Sequence, residues 1–292
     1  MLKKFINFPF NSFNMVTFIH LFALLGLIVG SYTDLRTREV PDWISHGLIY
    51  LGFAVNIVLT IVYKEWFYLL YSVLGFILAF VLGWGMYKLG QWGGGDTKIL
   101  MGIGSLIGLS PNLFLITFLV NTLLAGAVYG IVWSVVVAFQ HRKEFMVRLK
   151  AFVIQKHIVR WRFVMLGFLV LGLAVVFSLP AYVRLPLLGL LAAIFLMFYL
   201  WIFIKVVEES CMIQNVPVKK ITEGDWIVED VMVRGKRITG PKDLGITKQQ
   251  LAQLIKLNVK TVKVKYGMPF VPSFLIAFIL TLLIGNWYLV FL

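Results

Sequence analysis

The sequence predicts an all-α polytopic membrane bundle with a small cytoplasmic α+β insert. Of its 292 residues, 60% are hydrophobic and only 14% are charged, and the mean hydropathy is +0.91. Soluble domains are nearer to about 45–50% apolar and about 25% charged, so this composition indicates a chain that crosses a membrane several times. The second observation is that the apolar residues fall into separate long runs, each bounded by polar or turn-forming residues.

About eight apolar segments are recognisable, and we expect at least six of them to span the membrane. Segment 97–109 is too short to cross fully on its own, because a membrane helix needs roughly 20 residues. The predicted domains are a catalytic bundle over 1–207, an insert over 208–268 and a final transmembrane helix over 269–292. The segments cover residues 13–33, 44–63, 67–87, 97–109, 112–139, 161–179, 185–207 and 270–291.

The net charge of +14 is distributed unevenly between the loops. If every segment crosses, one side carries only Lys3, Lys4, Lys64 and Arg184, and the other holds the remaining 23 of the 27 basic residues. The side whose loops are rich in Lys and Arg is then predicted to be cytoplasmic, with both termini outside. The positive charge therefore indicates membrane topology and argues against nucleic-acid binding.

The insert over 208–268 is the one stretch polar enough to fold in water. The runs "DWIVEDVMV" and "KTVKVKYG" alternate like strands, and "ITKQQLAQLIKL" has the pattern of a helix. Thr247 and Gln250 form a capping box at the start of that helix, and "RGKRITGPKDLG" has turn chemistry. Elsewhere, three glycine pairs at i, i+4 spacing predict close helix packing: Gly26/Gly30, Gly104/Gly108 and Gly126/Gly130.

Two aspartates end or begin apolar segments at the same predicted membrane level. Asp34 follows the first segment, and Asp96 begins the fourth after Gly93, Gly94 and Gly95. Ionisable groups at membrane depth are costly and therefore indicate function. Taken singly, Asp34 is also compatible with an ordinary interfacial charge, and Asp96 with a helix N-cap. Neither explanation accounts for their convergence.

Peptide hydrolysis does account for it, because two carboxyls held close share one proton and can act as a general acid and a general base. Glycines beside them let an extended peptide approach the backbone. A glycine run before a short helix that is poorly anchored by its length also predicts a hinge. With one cysteine, Cys211, and four scattered histidines, His20, His46, His141 and His157, we expect no metal and no cofactor.

These residues resemble the type IV prepilin peptidase and archaeal preflagellin peptidase family of membrane aspartyl proteases. "GGGD" fits the G-x-G-D signature, "DLRTREVPDW" fits the block around the first aspartate, and "MPFVPSFLIAF" is similar to the start of the last helix. The resemblance implies an archaeal source, with the insert similar to an extra domain of some archaeal members. The matching positions are Asp34, Arg36, Val40, Pro41, Gly93, Gly95, Asp96 and Lys98.

The resemblance implies an aspartic endopeptidase with Asp34 and Asp96 as catalytic residues. Gly93, Gly95, Lys98 and Pro41 would flank the approaching substrate. The expected partners are pilin-like or archaellin precursors, whose short basic leader is removed at the cytoplasmic face of the cell membrane. Two alternatives remain: a proton- or cation-coupled transporter that uses the same two aspartates, and an inert membrane scaffold.

Overall fold

The computed structural model describes residues 12–233, 235–287 and 290, and side chains from residue 17 onward. The chain divides into two compact units, one of the residues up to Gly130 and from Gly267 on, and one of Ile131–Tyr266. The predicted division at residues 207 and 268 remains a prediction. The helices are α1 (Ser12–Thr37), α2 (Asp42–Tyr63), α3 (Phe67–Lys88), α4 (Gly94–Ile107), α5 (Phe114–Gln140), α6 (Arg142–Val153), α7 (Lys156–Ser178), α8 (Ala181–Val207), α9 (Lys248–Lys256) and α10 (Val271–Ile284).

Within the described residues, six helices are long and apolar enough to cross a membrane: α1, α2, α3, α5, α7 and α8. The predicted polytopic helical bundle is therefore confirmed. Helix α10 has 14 residues, which span about 21 Å at 1.5 Å per residue. This is shorter than a hydrocarbon core of about 30 Å, so the predicted final membrane crossing over 269–292 stays a prediction. Residues 288, 289, 291 and 292 lie outside the described part of the chain.

The short helix α4 lies in the centre of the first unit. It runs antiparallel to α3, because Thr97 faces Gly83 and Gly104 faces Gly75. The backbones touch so closely that a Cβ atom on Gly75 would lie 2.3 Å from the Gly104 carbonyl oxygen. Only glycine permits this approach. The side chains of Ile99, Leu100 and Ile103 are consequently fully buried.

Polar side chains anchor the C-terminal end of α4. The buried Asn56 amide donates to the carbonyl oxygens of Ser105 (3.2 Å) and Leu106 (3.3 Å), and the Ser72 hydroxyl also donates to Ser105 (2.6 Å). These carbonyls are left without partners by the end of a helix, so the side chains of α2 and α3 satisfy them. Helix α4 has only 14 residues and is poorly anchored by its length, as expected, but these contacts hold it in place.

All three predicted glycine pairs lie at helix contacts. A Cβ atom on Gly26 would meet Leu48, and one on Gly30 would meet Ile99 and Val271 at 3.4 Å. Gly108 lies against the backbone of α3, while Gly126 and Gly130 lie against the segment that leads into α10. The prediction of closely packed helices is confirmed at these positions.

The second unit combines α6, α7 and α8 with the predicted α+β insert. A π-helical turn, Glu208–Met212, follows α8. The strands are β1 (Ile213–Pro217), β2 (Trp226–Ile227), β3 (Val231–Val233), β4 (Lys236–Thr239) and β5 (Thr261–Lys265). They form an antiparallel sheet of order β1-β5-β2, with Val216 opposite Val262 and Ile227 opposite Val264, and a β3-β4 hairpin.

The Thr247–Gln250 capping box is confirmed at the start of α9. The predicted strand "DWIVEDVMV" is divided into β2 and β3. The turn prediction for "RGKRITGPKDLG" was incomplete, because β4 occupies part of it and pairs with β3. Glu208 bonds Lys205 and Lys265, and Glu209 bonds Arg148, so the carboxylates that follow α8 are ion-paired.

Candidate active site

Asp34 lies in the last turn of α1 and is only 5% exposed. The helix ends just after it, where Arg38 adopts a left-handed conformation (φ 58°) and its backbone N–H donates to the Asp34 carbonyl oxygen at 2.8 Å. The Asp34 side chain points towards α10, and its Oδ2 accepts a hydrogen bond from the backbone N–H of Val271 at 2.9 Å. A helix start leaves its first N–H groups unpaired and partly positive, so a carboxylate is favourable there.

Asp96 is the third residue of α4, and its carboxyl group is also buried (9% exposed). Its Oδ2 accepts the backbone N–H of Gly93 at 2.8 Å. Asp96 is thus not the N-cap itself; Gly93 is, and it has no side chain to complete a reciprocal capping box. The neighbouring Thr97 hydroxyl donates to the Gly83 carbonyl oxygen at 3.0 Å, which lies five residues before the end of α3. Thr97, the residue after Asp96, therefore lies beside α3 at a point about 7.5 Å before the end of that helix.

The surroundings of Asp96 favour its protonated form. Asp96 precedes the apolar part of α4 and lies outside the six candidate spans. Burial is the largest cause that raises its pKa from 3.8 to about 7, and the negative charge of Asp34 adds to it. The hydrogen bond from Gly93 acts in the opposite direction and is weaker.

The structure brings the two aspartates together, although 62 positions separate them in sequence. They are close enough for the charge of Asp34 to act on the pKa of Asp96. Within the described part of the chain no hydrogen bond joins the two carboxyls, and each one binds the N–H of a helix start instead. The convergence that the sequence predicted is present in the fold. The catalytic role of either residue stays a prediction.

The glycine run forms the start of α4. Gly93 has ordinary extended angles (φ −74°, ψ 164°), so the turn carries no backbone strain. Gly93 and Gly94 are exposed, and a Cβ atom on Gly94 would meet nothing within 4 Å. A Cβ atom on Gly95 would lie 3.1 Å from Val40. Of the predicted substrate-flanking glycines, Gly93 is exposed and a Cβ atom on it would meet only Asp96 Oδ2, at 3.3 Å, whereas Gly95 lies against the loop between α1 and α2.

The other predicted residues lie along that loop. Pro41 is the N-cap of α2, and Asp42 is the first residue of this helix. The Asp42 side chain is exposed, and its Oδ1 accepts a bond from Lys98 Nζ at 2.5 Å. Lys98 therefore links the beginning of α4 to the beginning of α2. Arg36 is exposed, and its guanidinium donates to the Tyr32 hydroxyl at 3.1 Å.

Several residues near the pair were not predicted. Trp92 is buried and packs against Phe270 and Phe274, with ring centroids 5.4 and 5.3 Å away. The available signals were the position of Trp92 directly before the glycines and the Pro-Phe-x-Pro motif that contains Phe270. Among the described residues, no group of three or more His, Cys, Asp or Glu side chains could hold a metal ion.

Comparison with known proteins agrees with this geometry. Residues 21–131 match the model of the type IV leader peptidase family. Over these residues the chain is similar to the type IV leader peptidase family. The matched segment contains Asp34, Asp96 and all four predicted substrate-flanking positions. The predicted resemblance to prepilin and preflagellin peptidases is therefore confirmed.

Individual proteins named as preflagellin or prepilin peptidases are similar to part of the chain. The preflagellin peptidase of Methanocaldococcus jannaschii is 38% identical over 93 residues, which cover 32% of this chain and 38% of that protein. The preflagellin peptidase of Methanococcus voltae is 38% identical over 85 residues, or 29% of this chain and 36% of that one. The prepilin peptidase EppA of Methanothermobacter thermautotrophicus is 23% identical over 141 residues, which cover 42% of this chain and 37% of that protein.

The chain thus spans less than two fifths of the length of these curated relatives. No solved structure matches it. Neither the family nor the relatives support the transporter alternative, because the similar proteins are named as peptidases.

Proposed function

We propose that the chain is an aspartic endopeptidase that removes the short basic leader from prepilin- or preflagellin-like precursors. The observation that carries the proposal is the pair of buried carboxyls, Asp34 and Asp96, in the segment that matches the leader peptidase family. Two interacting carboxyls in a poorly solvated place hold one proton between them, which is the state that aspartic peptidases use.

The proposed chemistry divides the roles between the two groups. With its raised pKa, Asp96 holds the shared proton near neutral pH and donates a hydrogen bond to the scissile carbonyl oxygen. Asp34, which accepts the N–H of Val271, remains ionised and takes a proton from a water molecule, whose oxygen attacks the carbonyl carbon. The tetrahedral intermediate then collapses as Asp34 passes the proton that it took from water to the amide nitrogen, the carbon–nitrogen bond breaks, and Asp34 is ionised again.

The substrate would approach the exposed side of the glycine run. Gly93 and Gly94 leave backbone accessible at the start of α4, two residues and one residue before the Gly95-Asp96 pair. An extended precursor segment could lie along this backbone, with Lys98 and Pro41 at its edge. The names of the archaeal relatives support preflagellin and prepilin precursors as the substrate class.

The chain is a multi-pass membrane protein, and we propose that it resides in the cell membrane with its active site on the cytoplasmic side. The support is the uneven distribution of Lys and Arg between the loops. Loops that carry few of these residues are expected on the outside of the membrane. On this topology Asp34 and Asp96 both lie towards the cytoplasmic surface, where a leader is available before its precursor is exported.

The decisive experiment incubates the purified protein with preflagellin and prepilin precursors and sequences the new N-terminus of each product. We expect one cut directly before the precursor's hydrophobic stretch, with activity that survives EDTA. Asp34→Asn and Asp96→Asn should each lower turnover by about 10³-fold or more. The matched control is Asp42→Asn, which removes an exposed carboxylate nearby. Normal turnover in either of the first two variants would remove that residue from catalysis.

A further inference from the structure

The second unit contains an apolar cavity of about 270 Å³ that the proposed peptidase chemistry does not use. Three of its lining residues, Phe145, Leu149 and Val153, recur every fourth position and share one face of α6. The opposite walls come from α7 and α8. The full lining is Phe145, Leu149, Val153, Arg162, Tyr199, Ile202 and Phe203.

Arg162 is the one charged residue in this lining. Its guanidinium is exposed, and it forms no hydrogen bond or ion pair with any residue that the structure describes. The nearby Arg148 differs, because its guanidinium bonds the carboxylate of Glu209 (2.8 Å from Nε). A free guanidinium beside an apolar cavity presents five hydrogen-bond donors to an anion. The apolar residues that line the cavity can contact a hydrocarbon chain at the same time.

The place of the cavity in the fold indicates a lipid rather than a soluble anion. Helices α5 and α7 are both candidate spans, and only His141 joins α5 to α6 and only Ile154 and Gln155 join α6 to α7. Helix α6 therefore lies at the membrane surface. Arg162 is six residues into α7, about 9 Å from its start, so its long side chain can reach the headgroup level while the cavity faces the acyl chains.

The charge of this segment is complementary to an anionic membrane surface. Between residues 140 and 162 the chain has seven basic residues and a single acidic one, Glu144. Clusters of this kind beside membrane helices attract anionic headgroups. We propose that the cavity under α6 is a binding site for one anionic phospholipid, with the phosphate on Arg162 and part of an acyl chain between α6 and α8. The Tyr199 hydroxyl can donate a second hydrogen bond to the phosphate.

The test uses the full chain in micelles that contain equal amounts of phosphatidylglycerol and phosphatidylcholine with identical acyl chains. Native mass spectrometry then counts the lipids retained on the protein. We expect preferential retention of one phosphatidylglycerol, and a loss of affinity of about tenfold in Arg162→Gln, the size expected for a hydrogen-bonded charge.

The matched control is Arg160→Gln. It removes the same charge from the same turn of α7, but two positions correspond to about 200° of rotation, so Arg160 points away from the cavity. We expect this variant to keep the bound phosphatidylglycerol. Val153→Phe fills the cavity without changing the charge, and it should lose the lipid as Arg162→Gln does.

Equal losses in Arg160→Gln and Arg162→Gln would overturn the proposal, because general surface charge would then explain the binding. Equal retention of the two lipids would do so as well, and so would full retention in Val153→Phe. Circular dichroism verifies that each variant is folded, and Arg162→Gln changes an exposed side chain only. Since lipid retention is measured without any precursor, the result does not depend on peptidase activity.

Discussion

The carboxylate of Asp34 accepts a hydrogen bond from the backbone N–H of Val271, which lies 237 positions further along the chain. This bond joins the end of α1 to the start of α10. It gives a partner to a helix N–H that would otherwise be buried and unsatisfied, and it orients Oδ2 of Asp34. Asp34 therefore has a structural role that can be measured apart from its proposed catalytic one.

Replacing Asp34 with Asn or Ala separates these two roles. Asp34→Asn keeps an oxygen that can accept the Val271 N–H, so we expect normal thermal stability without activity. Asp34→Ala leaves that N–H unpaired, and it should lower the free energy of unfolding by about 1–3 kcal/mol. Cleavage of a precursor and thermal unfolding in detergent measure the two effects. Equal stability of the two variants would show that the bond to Val271 contributes little.

The raised pKa of Asp96 predicts how stability depends on pH. The folded protein keeps a proton on Asp96 up to a pH of about 7, whereas the unfolded chain loses it near pH 3.8. The free energy of unfolding should therefore fall as the pH rises from about 4 to about 7, and then level off. Asp96→Asn should lack this contribution, while Asp42→Asn should retain it. Parallel stability profiles for the wild type and Asp96→Asn would contradict the assignment.

The rate of cleavage should follow a bell-shaped pH profile, with its alkaline limb near pH 7. Above this limb the pair has lost its shared proton, and the rate should fall about tenfold per pH unit. Both limbs belong to the interacting pair rather than to one residue. The measurement is kcat/KM for a precursor between pH 4 and 9. A flat profile over this range would indicate another mechanism.

Valine substitutions at Gly94 and Gly95 distinguish an effect on substrate access from an effect on packing inside the protein. A side chain on Gly94 meets open space, so Gly94→Val should leave the unfolding temperature unchanged while lowering kcat/KM by about tenfold through obstruction of the substrate. A side chain on Gly95 meets Val40 at 3.1 Å, so Gly95→Val should lower both activity and stability.

Two further variants check this interpretation. Val40→Ala combined with Gly95→Val should recover stability, because it returns the space that the new side chain needs. Gly47→Val, at an exposed helical glycine with no neighbour within 4 Å, is the control for a valine in a helix. Full activity of Gly94→Val would mean that the precursor does not lie against this backbone.

Lys98→Met tests whether this lysine serves the substrate. Its ion pair with Asp42 is partly exposed, with 38% and 71% of the two side chains accessible, so stability should change by less than about 1 kcal/mol. If Lys98 contacts the precursor, KM should rise while kcat stays near normal. Asp42→Asn breaks the same ion pair and should leave KM unchanged. Equal KM values for the two variants would assign Lys98 to the ion pair alone.

Much of this protein could be predicted from local sequence. Hydropathy indicates the membrane helices because each apolar run must be long enough to cross, whatever its neighbours are. The glycines before Asp96 and the end of the apolar run at Asp34 predict two carboxyls at helix ends. The Thr247–Gln250 capping box is likewise a local feature, since its two residues are three positions apart.

Pairing between distant segments was decided by the tertiary structure. Strand β4 is stable because it pairs with β3, and its own residues resemble a turn. Helix α4 is too short to be anchored by length, but Asn56 and Ser72 bind the carbonyls at its end and glycines admit the backbone of α3. The pattern of residues within 94–107 does not predict those contacts, because they are made by side chains and backbone of other helices.

The site shows the same division. The sequence by itself determined that two aspartates end or begin apolar helices and that glycines precede one of them. Only the fold decided that Val271 donates to Asp34, that Trp92 packs against Phe270 and that the raised pKa of Asp96 results from burial and from the charge of Asp34. Hydropathy and helix signals act over a few residues, whereas desolvation and charge interaction depend on which distant segments surround a group.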